Sequence, residues 1–210
     1  MTRVKICGIT TVDDALLAAD CGADAVGFIF ADSPRKIDLG KAAEIAGAVS
    51  GFVSRVGVFV DAPTEVVKDS LTGFLDYVQL HGEESVSECE TLAQCRGPGR
   101  IIKVFRVRDK SDLAVLGDYM DVAGMFHLDT RVEGKPGGTG RTFDWGIAVE
   151  AKKWGKPIVL SGGLTPENVA EAVARVEPYA VDVSGGVESA PGVKDPEKVR
   201  EFVKRAKQVT

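Results

Sequence analysis

The sequence predicts a single (β/α)8 barrel, a TIM-barrel fold of the α/β class in which eight parallel strands close into a ring inside a layer of helices. Three observations predict it. Short β-branched runs alternate with amphipathic helical segments, the alternation occurs eight times, and no linker or composition change divides residues 1–210. Repeated strand–helix units indicate a parallel sheet, and eight of them favour closure into a barrel. An open doubly wound sheet is the structural alternative.

The predicted strands are short and rich in Val, Ile and Phe, and a helical segment follows each of them. Thr165 and Asp195 each precede a proline, which indicates a helix N-terminus, and Gly22 indicates a helix end. The helical pattern at 110–119 is the weakest. The strands begin in order at Val4, Ala25, Arg55, Tyr77, Ile101, Gly124, Pro157 and Ala180, and the helices cover 11–20, 40–49, 64–71, 85–94, 110–119, 145–154, 166–176 and 196–208.

Composition narrows the function classes. Apolar residues make up 44% of the chain and charged residues 27%, and the formal net charge is -5, which argues against a nucleic-acid or acidic-membrane partner. An apolar run of about 18 residues, as a spanning helix needs, does not occur. The few, unevenly spaced cysteines suit reduced thiols of a cytoplasmic protein rather than a metal cluster. They are Cys7, Cys21, Cys89 and Cys95.

The strands alternate between an apolar and a more polar face. We expect the apolar face to pack against the helices, as with Val56 and Val58 in the third strand and Ile102 and Val104 in the fifth. The other face then points into the barrel.

Four charged residues lie on these inward faces. Because an unpaired buried charge is costly, we expect them to form a paired interior network. Lys5 is accordingly interpreted as a structural partner rather than a catalyst. The four are Lys5, Arg55, Lys103 and Asp182.

Polar residues at strand ends are expected at the C-terminal rim, where barrel enzymes carry their chemistry. Cys7 and Asp129 end the first and sixth strands and are candidates for a base and an acid acting from opposite sides of a small ligand. Alternatively, Cys7 is a small buried apolar residue and Asp129 a loop cap. His81 and Ser184 also end strands, and His81 receives no role.

Two glycine turns follow the last two strands, "LSGGLTPENV" and "VSGGVESAPGVKD". Loops at these barrel positions commonly bind phosphate through backbone N–H groups. Gly162, Gly163, Gly185 and Gly186 are therefore candidate phosphate ligands, although they could be plain turn residues. Arg35, after the second strand, is a candidate partner for a carboxylate or phosphate, or a solvated loop residue.

The loop 130–145, "TRVEGKPGGTGRTFDW", matches neither the P-loop nor the dinucleotide-binding fingerprint. Its glycine content and its place after Asp129 suit a mobile cover over the substrate. Alternatively, the loop only connects two elements and has no functional role.

Together these strings resemble the phosphoribosylanthranilate isomerase family. "KICGIT", "GADAVGFIF…SPR", "VGVFV", "VQLHGEE", "LDT…GGTGRTFDW", "LSGGLTPENV" and "VDVSGGVESAPGVKD" occur in that family's order over residues 5–195. The resemblance implies a (β/α)8 barrel of tryptophan biosynthesis. It also implies an Amadori rearrangement of N-(5-phosphoribosyl)anthranilate to 1-(2-carboxyphenylamino)-1-deoxyribulose 5-phosphate, without cofactor or metal.

The resemblance also implies roles for residues. Cys7 is then the general base, Asp129 the general acid, and Arg35 the ligand of the anthranilate carboxylate. The family turn usually reads Ser-Ser-Gly-Val-Glu, and "SGGVE" here removes one hydroxyl at Gly185, which leaves backbone contacts to phosphate. The expected substrate-binding set is Arg35, Gly162, Gly163, Asp182, Ser184, Gly185 and Gly186, and the expected assembly is a monomer or homodimer.

Two other functions fit the same pattern. A Schiff-base aldolase acting through Lys5 or Lys103 would be trapped by borohydride in the presence of substrate. A non-catalytic binder of a phosphorylated ligand would show no turnover.

Overall fold

The computed structural model describes residues 1–49, 51–129 and 145–209. Within them, eight parallel strands close into a barrel in sequence order, so the predicted fold is confirmed. The barrel strands are β1 (Arg3–Cys7), β2 (Ala25–Ile29), β3 (Ser54–Phe59), β4 (Tyr77–Leu80), β5 (Ile101–Arg106), β6 (Met125–Asp129), β7 (Ile158–Leu160) and β8 (Ala180–Val183).

The helices lie outside the ring, between consecutive strands. They are α1 (Val12–Asp20), α2 (Leu39–Ala48), α3 (Thr64–Gly73), α4 (Val86–Arg96), α5 (Trp145–Ala151), α6 (Val169–Val176) and α7 (Pro196–Gln208). Short 3-10 segments cover Pro98–Arg100, Lys110–Tyr119, Lys152–Trp154 and Gly185–Val187.

Side-chain caps explain where several helices begin. The Asp195 carboxylate accepts the N–H groups of Glu197 and Lys198, as its place before a proline predicts. Ser85 and Glu88 form a reciprocal capping box at α4. At the end of α1, Gly22 has a φ of +89°, which confirms the predicted helix stop.

Two predicted helices differ from the structure. Residues 110–119 form a 3-10 segment, whose buried Leu113 and Leu116 are three apart and so share one face. Helix α6 begins at Val169, later than predicted, although Thr165 does cap the turn before it: its Oγ1 accepts the N–H of Glu167 at 3.3 Å and its carbonyl accepts the N–H of Val169 at 3.1 Å. The side-chain oxygen of Asn168 accepts the N–H of Thr165 at 2.8 Å, which closes a turn before the helix starts.

A small antiparallel hairpin follows β8 and was not predicted. It consists of β9 (Glu188–Ala190) and β10 (Val193–Lys194). Gly192 lies in its turn with a φ of +82°, and its carbonyl accepts the Thr10 hydroxyl at 2.7 Å. The hairpin is thereby fastened to the loop after β1.

The main apolar core lies between the strands and the helices, and it includes Phe59 and Phe105. A side chain at Gly57 would point at Leu75 in this same layer. Alternate residues of the same two strands therefore face the barrel interior. The predicted facing of Val56, Val58, Ile102 and Val104 was wrong, because polarity alone did not distinguish the two faces of β3 and β5.

The predicted interior charge network was correct only for Lys5 and Asp182, whose Nζ and Oδ1 atoms are 3.0 Å apart. Lys103 instead extends past the rings of Phe105 and Tyr119 to Glu84, at 2.9 Å. A long aliphatic stem lets a lysine cross an apolar layer in this way.

Arg55 makes a third, separate ion pair with Asp76, at 2.8 Å, close to the start of β3. The charges therefore form isolated pairs rather than a network. Among the described residues, no helix is both long and apolar enough to cross a membrane.

Candidate active site

Cys7 ends β1 and is 5% exposed. A side-chain carbon at Gly27 would lie 2.8 Å from the Cys7 sulfur and 3.1 Å from Lys5 Nζ, so the thiol and the ammonium border one small space. Burial raises the pKa of the Cys7 thiol, and the neighbouring Lys5 charge opposes that rise. The thiol is therefore held protonated by burial, beside a cation that favours its ionised form.

Asp182 lies beneath this point, on β8. One of its oxygens contacts Lys5, and the other lies 3.7 Å from Nε2 of His127. Burial lowers the pKa of His127 to about 4, so its ring is neutral at pH 7. In the described part of the chain, neither ring nitrogen of His127 has a hydrogen-bond partner. Asp182, a predicted substrate ligand, is thus engaged by protein groups at the base of the site.

Asp129 ends β6 and is 8% exposed. Its Oδ2 lies 3.1 Å from Nε2 of His81, which follows β4. The backbone of His81 is fixed on both sides, since its N–H donates to Phe59 and its carbonyl accepts from Arg106. The structure thus joins His81 to the predicted acid. Nothing in the sequence indicates this pair, because the two residues are 48 positions apart on non-adjacent strands.

Arg35 lies across the end of β1. A side-chain carbon at Gly8 would be 2.5 Å from its Cδ, and Gly8 has a φ of +73°, so glycine is required there on two counts. The guanidinium donates from Nε and Nη2 to the two carboxylate oxygens of Glu188, at 2.7 and 2.6 Å. This hydrogen-bonded pair raises the pKa of Arg35. The arginine therefore reaches the mouth of the barrel in a fixed orientation.

Glu188 and Lys194 are site residues that the sequence reasoning missed. Glu188 ends the "SGGVE" string and is 5% exposed at its side chain, while the Lys194 side chain is fully buried. Lys194 Nζ donates to Glu188 at 2.8 Å and to the carbonyl of Cys7 at 2.6 Å. Glu188 could have been found from the sequence, because it belongs to the "SGGVE" string. No sequence pattern indicated Lys194, because its burial depends on the hairpin.

The two glycine turns lie against each other. Gly162 and Gly163 have φ values of +90° and +67°. A side chain at Gly186 would overlap the carbonyl oxygen of Leu164, so the second turn packs directly on the first. At Gly185 a side-chain carbon would lie 3.4 Å from Arg35 Nη2, which places the turn beside the arginine.

Ser184 lies at the start of the second turn. In the described part of the chain its hydroxyl oxygen is buried and has no hydrogen-bond partner. A side-chain carbon at Gly8 would be 3.0 Å from this oxygen. The hydroxyl and Arg35 are thus both packed against Gly8.

Cys7 and Asp129 lie at the carboxyl ends of β1 and β6, which are separated in the ring by β7 and β8. Both side chains therefore lie at the same end of the barrel. The glycine turns and Arg35 lie around that end. The predicted cover falls on residues 130–144, which lie outside the described residues. Among the residues that are described, no group of three or more His, Cys, Asp or Glu side chains is placed to hold a metal ion.

Comparisons with known proteins show which family the chain is similar to. The family model for N-(5'-phosphoribosyl)anthranilate (PRA) isomerase matches residues 4–205. An N-(5'-phosphoribosyl)anthranilate isomerase of Geotalea uraniireducens is 55% identical over 209 residues, which is 99% of each chain.

Solved structures give the same result. The crystal structure of phosphoribosyl anthranilate isomerase from Thermotoga maritima has a TM-score of 0.91 at 43% identity and covers 99% of both chains. A phosphoribosyl anthranilate isomerase in complex with reduced 1-(o-carboxyphenylamino)-1-deoxyribulose 5-phosphate has a TM-score of 0.87 at 41% identity, over 99% of both chains. The predicted resemblance, fold and isomerase function are confirmed, and the chain belongs to the N-(5'-phosphoribosyl)anthranilate isomerase family.

Proposed function

We propose that Cys7 and Asp129 carry out the isomerisation of N-(5-phosphoribosyl)anthranilate as general base and general acid. The single observation that carries this proposal is their placement. A thiol beside a cation ends β1, and a carboxyl group bonded to a histidine ends β6, at the same mouth. An acid and a base on different sides of a ligand suit a reaction that adds one proton and removes another.

In the first step Asp129 donates a proton to the ribose ring oxygen. The bond between that oxygen and C1 breaks, and the nitrogen lone pair forms a protonated Schiff base. The His81–Asp129 contact supports this role, because an imidazole nitrogen 3.1 Å from the carboxyl group holds that group in a fixed orientation.

In the second step the Cys7 thiolate removes the proton from C2. The electrons of the C–H bond move into the imine, which becomes an enolamine and then tautomerises to the ketose. Lys5 supports the thiolate, since its ammonium borders the same space as the sulfur. Asp129 has then lost a proton and Cys7 has gained one, and exchange with solvent restores both.

The anionic ends of the substrate go to separate groups. Arg35 binds the anthranilate carboxylate, and the turns at Gly162–Gly163 and Gly185–Gly186 bind the phosphate through their N–H groups. The buried Ser184 hydroxyl, without a partner in the described residues, is suited to a phosphate oxygen. Asp182 lies below the mouth of the barrel and contributes by holding the Lys5 ammonium in place.

The Schiff-base aldolase alternative is disfavoured by the state of its candidate lysines. An amine must be neutral to attack a carbonyl, and the pKa of Lys5 is raised, with Asp182 favouring the ammonium form against burial. Lys103 is paired with Glu84 on the helix side of β5. Neither lysine is therefore prepared as a nucleophile.

The test is turnover by the purified protein, followed as loss of the fluorescence of the anthranilate substrate. Wild-type protein should convert it, and the Asp129→Asn and Cys7→Ser variants should bind it but convert it about 10²–10⁴-fold more slowly. Borohydride added during turnover should leave no lysine adduct by mass spectrometry. Turnover that survives both substitutions would contradict the residue assignment.

The cellular setting belongs to the same proposal. The protein acts in the cytoplasm on a small phosphosugar, without nucleic acid, cofactor or metal, as a monomer or homodimer. Its four cysteines are all free thiols, which is typical of proteins in the reducing cytoplasm. Sedimentation velocity over a concentration series measures the assembly.

A further inference from the structure

We infer that Glu188 is a positioning residue: it orients the guanidinium of Arg35 toward the ligand carboxylate, and Lys194 anchors the pair to the end of β1. The inference rests on the proposed role of Arg35. It adds two residues that do not touch the substrate but decide how the substrate is held.

The contact between Arg35 and Glu188 is a two-bond fork. Nε and Nη2 donate to Oε1 and Oε2 at 2.7 and 2.6 Å, which fixes both the position and the plane of the guanidinium. A guanidinium carries five N–H donors, and this fork uses two of them. Those on Nη1 and the second on Nη2 lie on the far side from Glu188, and within the described part of the chain they have no partner, which leaves them for a ligand.

Glu188 is itself held. Oε1 accepts from Lys194 at 2.8 Å and from the backbone N–H of Gly192 at 3.4 Å. The Glu188 side chain is 5% exposed and the Arg35 side chain 20%, so the fork runs from the buried hairpin outward to the mouth. A carboxylate fixed from behind is a rigid support for the arginine.

Lys194 also determines the charge of the group. Arg35 and Glu188 alone would sum to zero, and a neutral pair attracts a carboxylate weakly. With the buried Lys194 the three groups sum to +1, which favours an anionic ligand. Lys194 Nζ also donates to the carbonyl of Cys7 at 2.6 Å, so the arginine and the proposed base share one rigid support.

The test compares three variants, Glu188→Gln, Arg35→Met and the double variant, with wild type. Two ligands are used: reduced 1-(o-carboxyphenylamino)-1-deoxyribulose 5-phosphate, and the same compound without the carboxyl group. Glutamine keeps the size of the side chain but removes the charge that holds the fork. The net charge of the three groups then rises from +1 to +2, so a weaker carboxylate ligand reports lost orientation of the arginine and not lost charge. A charge-assisted hydrogen bond is worth a factor of roughly 10–100 in affinity.

We expect Glu188→Gln to weaken the carboxylate ligand about tenfold or more and the ligand without it about twofold or less. In the Arg35→Met background, Glu188→Gln should cause no further loss, because its effect passes through the arginine. Glu188→Gln leaves Lys194 buried without its carboxylate. If that variant does not fold, Glu188→Gln/Lys194→Met removes both charges and should show the same selective loss.

Three results would overturn the inference. Equal weakening of both ligands would mean a general distortion of the site. A further loss in the Arg35→Met background would mean that Glu188 acts independently of the arginine. Unchanged binding of both ligands to Arg35→Met would refute the carboxylate role of Arg35 itself, which is distinguishable from a failure of Glu188 alone.

Discussion

Replacing Cys7 by serine distinguishes a catalytic thiol from a buried structural one. The change keeps the shape of a side chain that is 5% exposed, and the new hydroxyl can accept from Lys5, which borders the same space. We therefore expect a loss of about 1 kcal/mol or less in the free energy of unfolding. In a chain of this size that corresponds to a fall of roughly 2–4 °C in Tm.

The effect on activity should be far larger. A serine hydroxyl does not ionise near neutral pH, and a positioned base contributes about 10²–10⁴-fold to kcat. Binding of the reduced product analogue should change little, because Cys7 is not a proposed ligand of either anionic end. The measurements are kcat, the dissociation constant of the analogue and Tm, on one preparation of each protein.

The pH dependence provides a second measurement. Burial raises the pKa of the Cys7 thiol, so the thiolate is the minority form at pH 7. Because the proposed reaction needs Asp129 protonated and Cys7 ionised in the same complex, kcat does not follow the thiolate fraction alone, and the quantity to measure against pH is stability. A pKa that is raised in the folded state gives stability that is complete below the unfolded value, near 8.5, and is lost as pH rises through the folded value. Cys7→Ser should lack this trend.

A Cys7→Ser protein whose kcat stays within about threefold of wild type would refute the role of Cys7 as base, since loss of a positioned base should cost far more. A large fall in Tm with kcat preserved would identify Cys7 as a packing residue only.

Three further changes test other parts of the site. Asp129→Asn should lower kcat about 10²–10⁴-fold without weakening the reduced product analogue, and near-normal kcat would contradict its role as acid. Gly186→Ala should raise the inhibition constant of inorganic phosphate, because its methyl group overlaps a carbonyl of the other glycine turn; Gly47→Ala, which meets nothing within 4 Å, is the matched control. Lys103→Met should lower the free energy of unfolding by about 3 kcal/mol, because the buried Glu84 carboxylate loses its ion pair and keeps only the N–H groups of Asp61 and Gly82, with little change in kcat of the folded protein. An aldolase acting through Lys103 would instead lose its turnover.

Local sequence signals predicted most of the fold. Asp195 before a proline and Gly22 after α1 both act as expected, because capping depends on residues within one turn of the helix end. Thr165 also caps the turn that starts at Pro166, since its Oγ1 accepts the N–H of Glu167, but the α-helix begins three residues later than predicted, at Val169. The local signal therefore located the cap but not the residue at which the regular helix begins.

The faces of the strands were predicted less well. Lys5 points inward to Asp182, as expected from its polarity. Lys103 points outward, because its stem crosses Phe105 to reach Glu84. A period of two separates the residues of a strand into two sets but does not say which set is inside. That choice depends on partners distant in sequence.

The sequence by itself determined the eight strand–helix units, the ends of the strands and therefore which residues reach the mouth of the barrel. Cys7 and Asp129 were found in this way, since a residue that ends a parallel strand must emerge at one rim. Only the tertiary structure decided that His81 contacts Asp129 and that Glu188 supports Arg35. These contacts join residues 48 and 153 positions apart, and no local rule relates them, because they form only when the ring closes and the hairpin after β8 packs against its end.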